Sequence, residues 1–142
     1  MKKILKPVLI IIALFFLSGC QHLEPSVVII NDNILNIEVA KTVIAKSKGL
    51  SGRENLCSGC GMLFEFSDYQ TRNFWMKEMN FSLDIIWIKD DQVIGYDENV
   101  QPITNGEITR VRSPEPVNYV LEVNAGWVAN HQIRAGDTVV YQ

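Results

Sequence analysis

The chain has 142 residues, 47% of them apolar, and a formal net charge of −3. That length holds one domain and excludes a large multi-domain enzyme. All sixteen acidic residues follow position 20, so residues 21–142, with ten basic side chains, carry −6. A charge of that sign argues against a nucleic-acid partner.

The first twenty residues read as an address. Lys2, Lys3 and Lys6 precede an unbroken apolar run, Val8–Leu17. Such a run is too short for a bilayer-spanning helix, which needs about 20 residues, and it matches a secretory signal segment, 1–19. Leu17-Ser18-Gly19-Cys20 resembles the lipobox of bacterial lipoprotein precursors. That resemblance implies cleavage before Cys20 and lipid on its sulfur, with the membrane as a partner through that lipid. More than one acyl chain makes such an anchor stable. The expected location is the cell envelope: the outer membrane facing the periplasm in a Gram-negative cell, since Gln21 stands where a retention aspartate would, or the outer face of the plasma membrane in a Gram-positive one. Residues 20–26 read as a lipidated tether containing Pro25.

The remaining 27–142 read as one β-rich domain, large enough for a core of its own. Val27–Ile30 and Ile34–Val39 are β-branched runs around an Asn31-Asp32-Asn33 turn, with Leu35, Ile37 and Val39 on one face. Thr42 predicts a helix cap, with a short helix to about Lys48 ended by Gly49. Gly61–Phe66 alternates, with Met62, Phe64 and Phe66 inward. Phe74–Met76 and Asp84–Lys89 are strands, and Asp90-Asp91 turns the latter back into Gln92–Tyr96. Residues 101–116, with Pro102, Gly106, Pro114 and Pro116, read as a long loop. Val117–Asn124 is a strand, Ala125–Gln132 a short helix, and Thr138–Tyr141 the final strand. Many short strands between turn signals predict a mainly β fold: a compact antiparallel barrel or sandwich-like domain with one or two short helices.

Four segments recur in a set order: Lys48-Gly49-Leu50 with Arg53-Glu54; Gly61-Met62-Leu63-Phe64-Glu65-Phe66; Phe74-Trp75-Met76-Lys77 with Leu83-Asp84-Ile85; and Tyr119–Gly126 with Gly136-Asp137. This order resembles the uncharacterised domain of unknown function 192 family over about 36–141. The resemblance implies a compact, mostly antiparallel β domain and leaves the activity open.

Among the polar residues, an extended Phe74–Lys77 puts Trp75 and Lys77 on one face. Lys77 and Asp84 then read either as an ion pair or, with Trp75, as the lining of a pocket for an anionic or sugar-like ligand. Glu122 lies within an apolar strand and needs a partner if buried. Arg53 is the expected one, with a catalytic acid as the alternative. Cys57 and Cys60 form a CxxC pair that precedes a strand rather than opening a helix, which favours a local disulfide over a redox-active pair. No zinc pattern, P-loop, GxGxxG, GxSxG or HExxH occurs, so no metal or cofactor is expected. The resulting expectation is a lipid-anchored envelope protein, more a binding module than an enzyme, for a small ligand or an envelope partner. Trp75, Lys77, Asp84, Arg53 and Glu122 are its candidate site residues. The alternatives are a thiol-disulfide protein using Cys57 and Cys60, or a small hydrolase using Glu122 or Asp84.

Overall fold

A computed structural model describes residues 26–142. The expected signal segment, 1–19, and the expected lipidation site, Cys20, lie outside the described residues. Within them no helix is long and apolar enough to cross a membrane.

The core is a curled seven-stranded sheet. Strands β1 (Ser26–Ile30) and β2 (Asn33–Ala40) form a hairpin whose turn residues Asn31 and Asp32 adopt φ of 49° and 63°. Such turns need two positive-φ residues, and Asn and Asp tolerate that conformation. Helix α1 (Val43–Lys48) follows, with the Thr42 side chain accepting from the Ala45 N–H at 3.1 Å. Strand β3 (Cys60–Gln70) then lies parallel to β2. Strands β5 (Leu83–Lys89) and β6 (Gln92–Val100) form the second hairpin. β10 (Val117–Asn124) inserts between β3 and β5, and β11 (Val139–Tyr141) joins β1. The order is β11-β1-β2-β3-β10-β5-β6. The two ends of this half-barrel meet at a bridge between Gln92 and Thr138, flanked by backbone hydrogen bonds from Val93 to Asp137, Gly136 to Val93 and Val139 to Asp91.

Side-chain alternation along the central strands divides the interior in two. The concave face gathers Val28, Leu35, Leu63, Ile86, Leu121 and Val123. Helix α2 (Trp127–Asn130) supplies Trp127 and Val128 to that face, closing one side of it. The other face carries Met62, Phe64, Ile85, Trp87 and Val120, covered by Leu50, Met76 and the short strand β4 (Asn73–Trp75). Being buried on both sides, β3, β5 and β10 read as nearly continuous apolar runs. Leu63 is therefore as buried as its neighbours Met62 and Phe64, and Phe66 is only half-buried, departing from strict alternation. The stretch expected to be one long loop holds a small hairpin, β7 (Ile103–Thr104) with β8 (Glu107–Ile108). It also holds β9 (Arg110–Arg112), which pairs with β4. Prolines flank these pieces rather than interrupt them, which hides them from a composition-based reading.

Candidate functional site

Glu122 stands on β10 opposite Met62 of β3 and Ile85 of β5. Its side chain points to the face covered by Leu50, Phe74 and Met76. It is 5% exposed, and its Oε2 has no hydrogen-bond partner. Burial pushes its carboxyl up to about 8, against a weaker downward pull from the Arg53 charge.

Two loops roof this carboxyl. The first is the turn after α1. Gly49 ends the helix at φ 49°, ψ −133°, and its N–H donates to the Ala45 carbonyl at 2.8 Å. A Cβ at Gly49 would lie 3.2 Å from Cζ of Phe64 and 3.9 Å from Oε2 of Glu122. Glycine is thus favoured twice, for the backbone angle and for close passage over the Phe64 ring. The second roof is the turn after β4. Ser51 Oγ donates to the Lys77 carbonyl, the Gly52 N–H donates to the Glu78 carbonyl, and Asn80 Nδ2 donates to the Arg53 carbonyl, each at 2.8 Å. These three bonds join the Ser51–Arg53 segment to the Lys77–Asn80 turn beside Glu122. On the sheet, Gly61 lets β3 approach β10 closely: a Cβ there would meet the Glu122 carbonyl oxygen at 3.0 Å.

Between the loops lies a cleft of about 60 Å³, with Glu122 among its lining residues. Its walls include Phe64, Phe74 and Trp75, and its rim includes Lys48 and Ser51. Phe74 packs edge-on against Phe64 (4.8 Å between centroids) and Trp87 (5.8 Å), which fixes the aromatic wall. Trp75 keeps 46% of its surface exposed. Lys77 Nζ lies 5.9 Å and Arg110 Cζ 5.6 Å from its ring centroid. On the other side of Gly49 a shallower depression of about 340 Å³ is bordered by Lys48, Ser51 and Arg53.

The candidate residues therefore separate. Trp75 and Glu122 line the cleft, Lys77 lies outside its lining beside the Trp75 ring, and Arg53 borders the adjoining depression. Arg53 does not pair with Glu122 as expected. Its guanidinium donates to both carboxylate oxygens of Glu38, at 2.6 and 2.7 Å. That bidentate contact holds the Glu38 carboxyl below its usual range and raises Arg53. Glu38 lies on the outward face of β2, where it reaches the loop, whereas Glu122 lies under the roof.

Asp84 joins neither Lys77 nor the cleft. It stands opposite Val123, and directly opposed residues share a face, so Asp84 and Glu122 lie on opposite faces of the sheet. Asp84 is fully buried and accepts the Asn99 N–H at 2.8 Å and the Val128 N–H at 2.9 Å. Val128 is in the first turn of α2, whose N-cap is Gly126 and supplies no side-chain acceptor. Asp84 performs that capping from a distance. Lys77 makes its ion pair with its neighbour Glu78, at 3.7 Å on the surface.

Cys57 and Cys60 are joined as a disulfide at the start of β3, whose first residue is Cys60. Cys57 is exposed. Asn124 Nδ2 donates to the carbonyls of Leu56 (3.1 Å) and Cys57 (2.9 Å), pinning this loop to the end of β10. The sequence reading missed Gly49 as the roof, Phe64 and Phe74 as walls, and Ser51 as the link between loops. The Lys48-Gly49-Leu50 segment after a short helix was the available signal, since a helix-ending glycine fixes where the chain turns back.

Residues 27–141 match the family model DUF192, described as "Uncharacterized ACR, COG1430", and the chain belongs to that family. Two solved structures are similar. One, from Sinorhizobium meliloti 1021, bears a provisional name as a transcription regulator. It is 30% identical, with a TM-score of 0.74, covering 82% of this chain and 92% of that one. The other, a protein of unknown function from Novosphingobium aromaticivorans DSM 12444, is 29% identical, with a TM-score of 0.71, covering 82% and 83%. No curated protein matches.

Proposed function

We propose that this DUF192 protein is a lipid-anchored envelope binding module that holds a small, hydroxyl-bearing anion, such as a sugar phosphate or sugar acid, against Trp75 at the mouth of the cleft, with one hydroxyl entering over Glu122. One observation carries the reading: a buried carboxyl with an orphaned oxygen lines a cleft that opens to solvent. An unsatisfied buried oxygen costs about 1–3 kcal/mol, and a fold retains such a cost most readily where the group has work to do. A ligand hydroxyl supplies the missing partner. The exposed Trp75 indole offers a stacking surface for a sugar ring. Lys48, Lys77 and Arg110 give the surroundings a positive charge suited to a phosphate or carboxylate. The signal segment and lipobox support the anchor at Cys20.

The alternatives draw less support. Hydrolysis by paired carboxyls needs Asp84 beside Glu122, and the two sit on opposite faces of the sheet. Redox use of Cys57 and Cys60 gains nothing from their position, since β3 rather than a helix starts at Cys60. The regulator name of the Sinorhizobium relative is not carried over, because residues 21–142 carry −6.

The test is chemical-shift mapping with glucose 6-phosphate, glucuronate, glucose and inorganic phosphate as probes. Saturable shifts at Gly49, Ser51 and the Trp75 indole, abolished in Trp75→Ala and weakened in Glu122→Leu, are expected for at least one acidic sugar. No saturable shift at these positions with any probe overturns the reading.

A further inference from the structure

Helix α1 buries none of its residues. Val43 and Ile44 are 84% and 82% exposed, the highest values among the exposed large apolar side chains of the described residues. Isolated exposed apolar residues are ordinary, but these two are adjacent and stand in a distinctive setting. Residues 41–50 contain Lys41, Lys46 and Lys48 and no acid. Lys41 pairs with Glu65 at 3.0 Å. Lys46 and Lys48 have no carboxylate partner among the described residues, and Lys46 Nζ sits 4.3 Å from the Phe66 ring centroid.

The topology brings this helix to where the chain enters the domain. Ser26, the first residue of β1, pairs with Ile37 of β2, three residues before the strand ends at Ala40 and the chain turns into α1. Six chain steps, across the five residues 21–25, separate Ser26 from Cys20. Fully extended they reach about 20 Å. A lipid on Cys20 therefore keeps Ser26 within that distance of the bilayer, and Ala40, three residues past Ser26's partner Ile37, lies ~10 Å further along the strand, where the chain turns into α1. Ile34, an exposed isoleucine paired with Ile29, lies about as far from Ser26 in the opposite direction, ~20 Å along β2 from Ala40, and is a control at equal reach of the tether.

We propose that residues 41–48 form a membrane-contact face, with Val43 and Ile44 entering the headgroup region of the anchoring bilayer and Lys46 and Lys48 meeting anionic lipid phosphates. Apolar side chains beside lysines are the composition that such interfacial contacts use, and each lysine near an anionic surface strengthens binding about five-fold. The proposal rests on the lipid anchor proposed above; Lys46 and Lys48 also line the cleft, so the experiment is run without any cleft ligand.

The experiment uses full-length, lipidated protein in vesicles of phosphatidylethanolamine and phosphatidylglycerol. An environment-sensitive fluorophore is placed on Ile44→Cys or, as a matched control, on Ile34→Cys. The expected result is quenching by lipid-borne quenchers several-fold stronger at position 44 than at 34. The difference shrinks when Lys46 and Lys48 are both changed to Gln. Equal quenching at the two positions, in protein that floats with the vesicles, overturns the proposal while leaving the anchor intact. A Cys20 peptide without acyl chains by mass defeats the anchor itself, and the membrane face with it.

Discussion

Asp84 and Glu122 stand one register step apart on neighbouring strands, Asp84 opposite Val123 and Glu122 opposite Ile85. Both carboxyls are buried within runs of apolar residues. On the concave side, each Asp84 oxygen accepts a backbone N–H, one at the end of β6 and one at the start of α2. On the other side, Glu122 keeps an unpartnered oxygen beneath a loop that favours glycine. The same residue class on the same pair of strands thus serves assembly on one face and remains available on the other. Burial alone does not distinguish a structural acid from a candidate site; the fate of each oxygen does.

The largest effect is expected on the assembly side. Asp84→Ala leaves the Asn99 and Val128 N–H groups without an acceptor and removes the distant cap of α2. At about 1–3 kcal/mol for each unsatisfied group, the loss is roughly 4 kcal/mol, much of the 5–15 kcal/mol typical of a domain. Urea unfolding checks it. Asp84→Asn, which retains one acceptor oxygen, falls in between. A loss below about 1 kcal/mol for the alanine variant places Asp84 outside the assembly role.

Glu122 should behave in the opposite sense. Its carboxyl holds a proton to about pH 8 in the folded chain, against an ordinary value of 4.5. Between those values the folded state binds more protons than the unfolded state. The stability linked to Glu122 is therefore fully present below about 4.5, falls as pH rises, and levels off above about 8. Glu122→Gln removes that slope. It should gain up to about 3 kcal/mol at pH 7 relative to its own difference from the parent at pH 4. Urea midpoints across this range test it. A parent profile no steeper than that of the variant would contradict the burial of an unpaired acid. In combination, Glu122→Gln more stable and Asp84→Asn less stable is the outcome that keeps the two faces distinct.

The roof offers a third, smaller test. Gly49→Ala forces a side chain into φ 49°, ψ −133° and against Phe64. Strain of that kind costs of order 1–3 kcal/mol, so roughly 2 kcal/mol of stability should be lost in thermal melts. Gly52→Ala is the comparison. Its φ of 77° is also strained, but a Cβ there meets nothing within 4 Å. The two variants should therefore differ by the crowding term, and only Gly49→Ala should perturb the Trp75 indole.

How much of this was legible in the sequence follows from how local each signal is. The β1–β2 turn at Asn31-Asp32, the Thr42 cap and the Asp90-Asp91 turn are written in two to four adjacent residues, and the strands between them carry β-branched runs. The β7–β8 hairpin and β9 are two or three residues long and lack any periodicity to detect. Trp75, Lys77 and Glu122 could be singled out as unusual side chains in their settings. Their partners could not, because pairing depends on register and on which face each residue takes. Asp84 and Glu122 differ in face only because of how β5 and β10 align. Arg53 found Glu38 because β2 runs parallel beside β3 and presents its outward face to the loop, a parallel pairing absent from a hairpin-by-hairpin reading.

The smallest effect concerns that misassigned arginine. The Arg53–Glu38 pair is bidentate, but its side chains are 35% and 61% exposed. Exposed pairs contribute about 0–1 kcal/mol after solvent screening, so Arg53→Met should shift stability by less than 1 kcal/mol near neutral pH. The informative readout is elsewhere. The Arg53 charge pulls the Glu122 carboxyl down, against the larger upward effect of burial. Its removal should raise the Glu122 pKa, followed through the carboxyl carbon resonance during a pH titration. Glu38→Gln leaves the arginine charge in place while weakening its tether, so it should lose a similar fraction of stability without the same upward movement. If Arg53→Met left the Glu122 titration unmoved, the two sides of Gly49 would be electrostatically separate, and a ligand anion held at Arg53 could not influence the proton on Glu122.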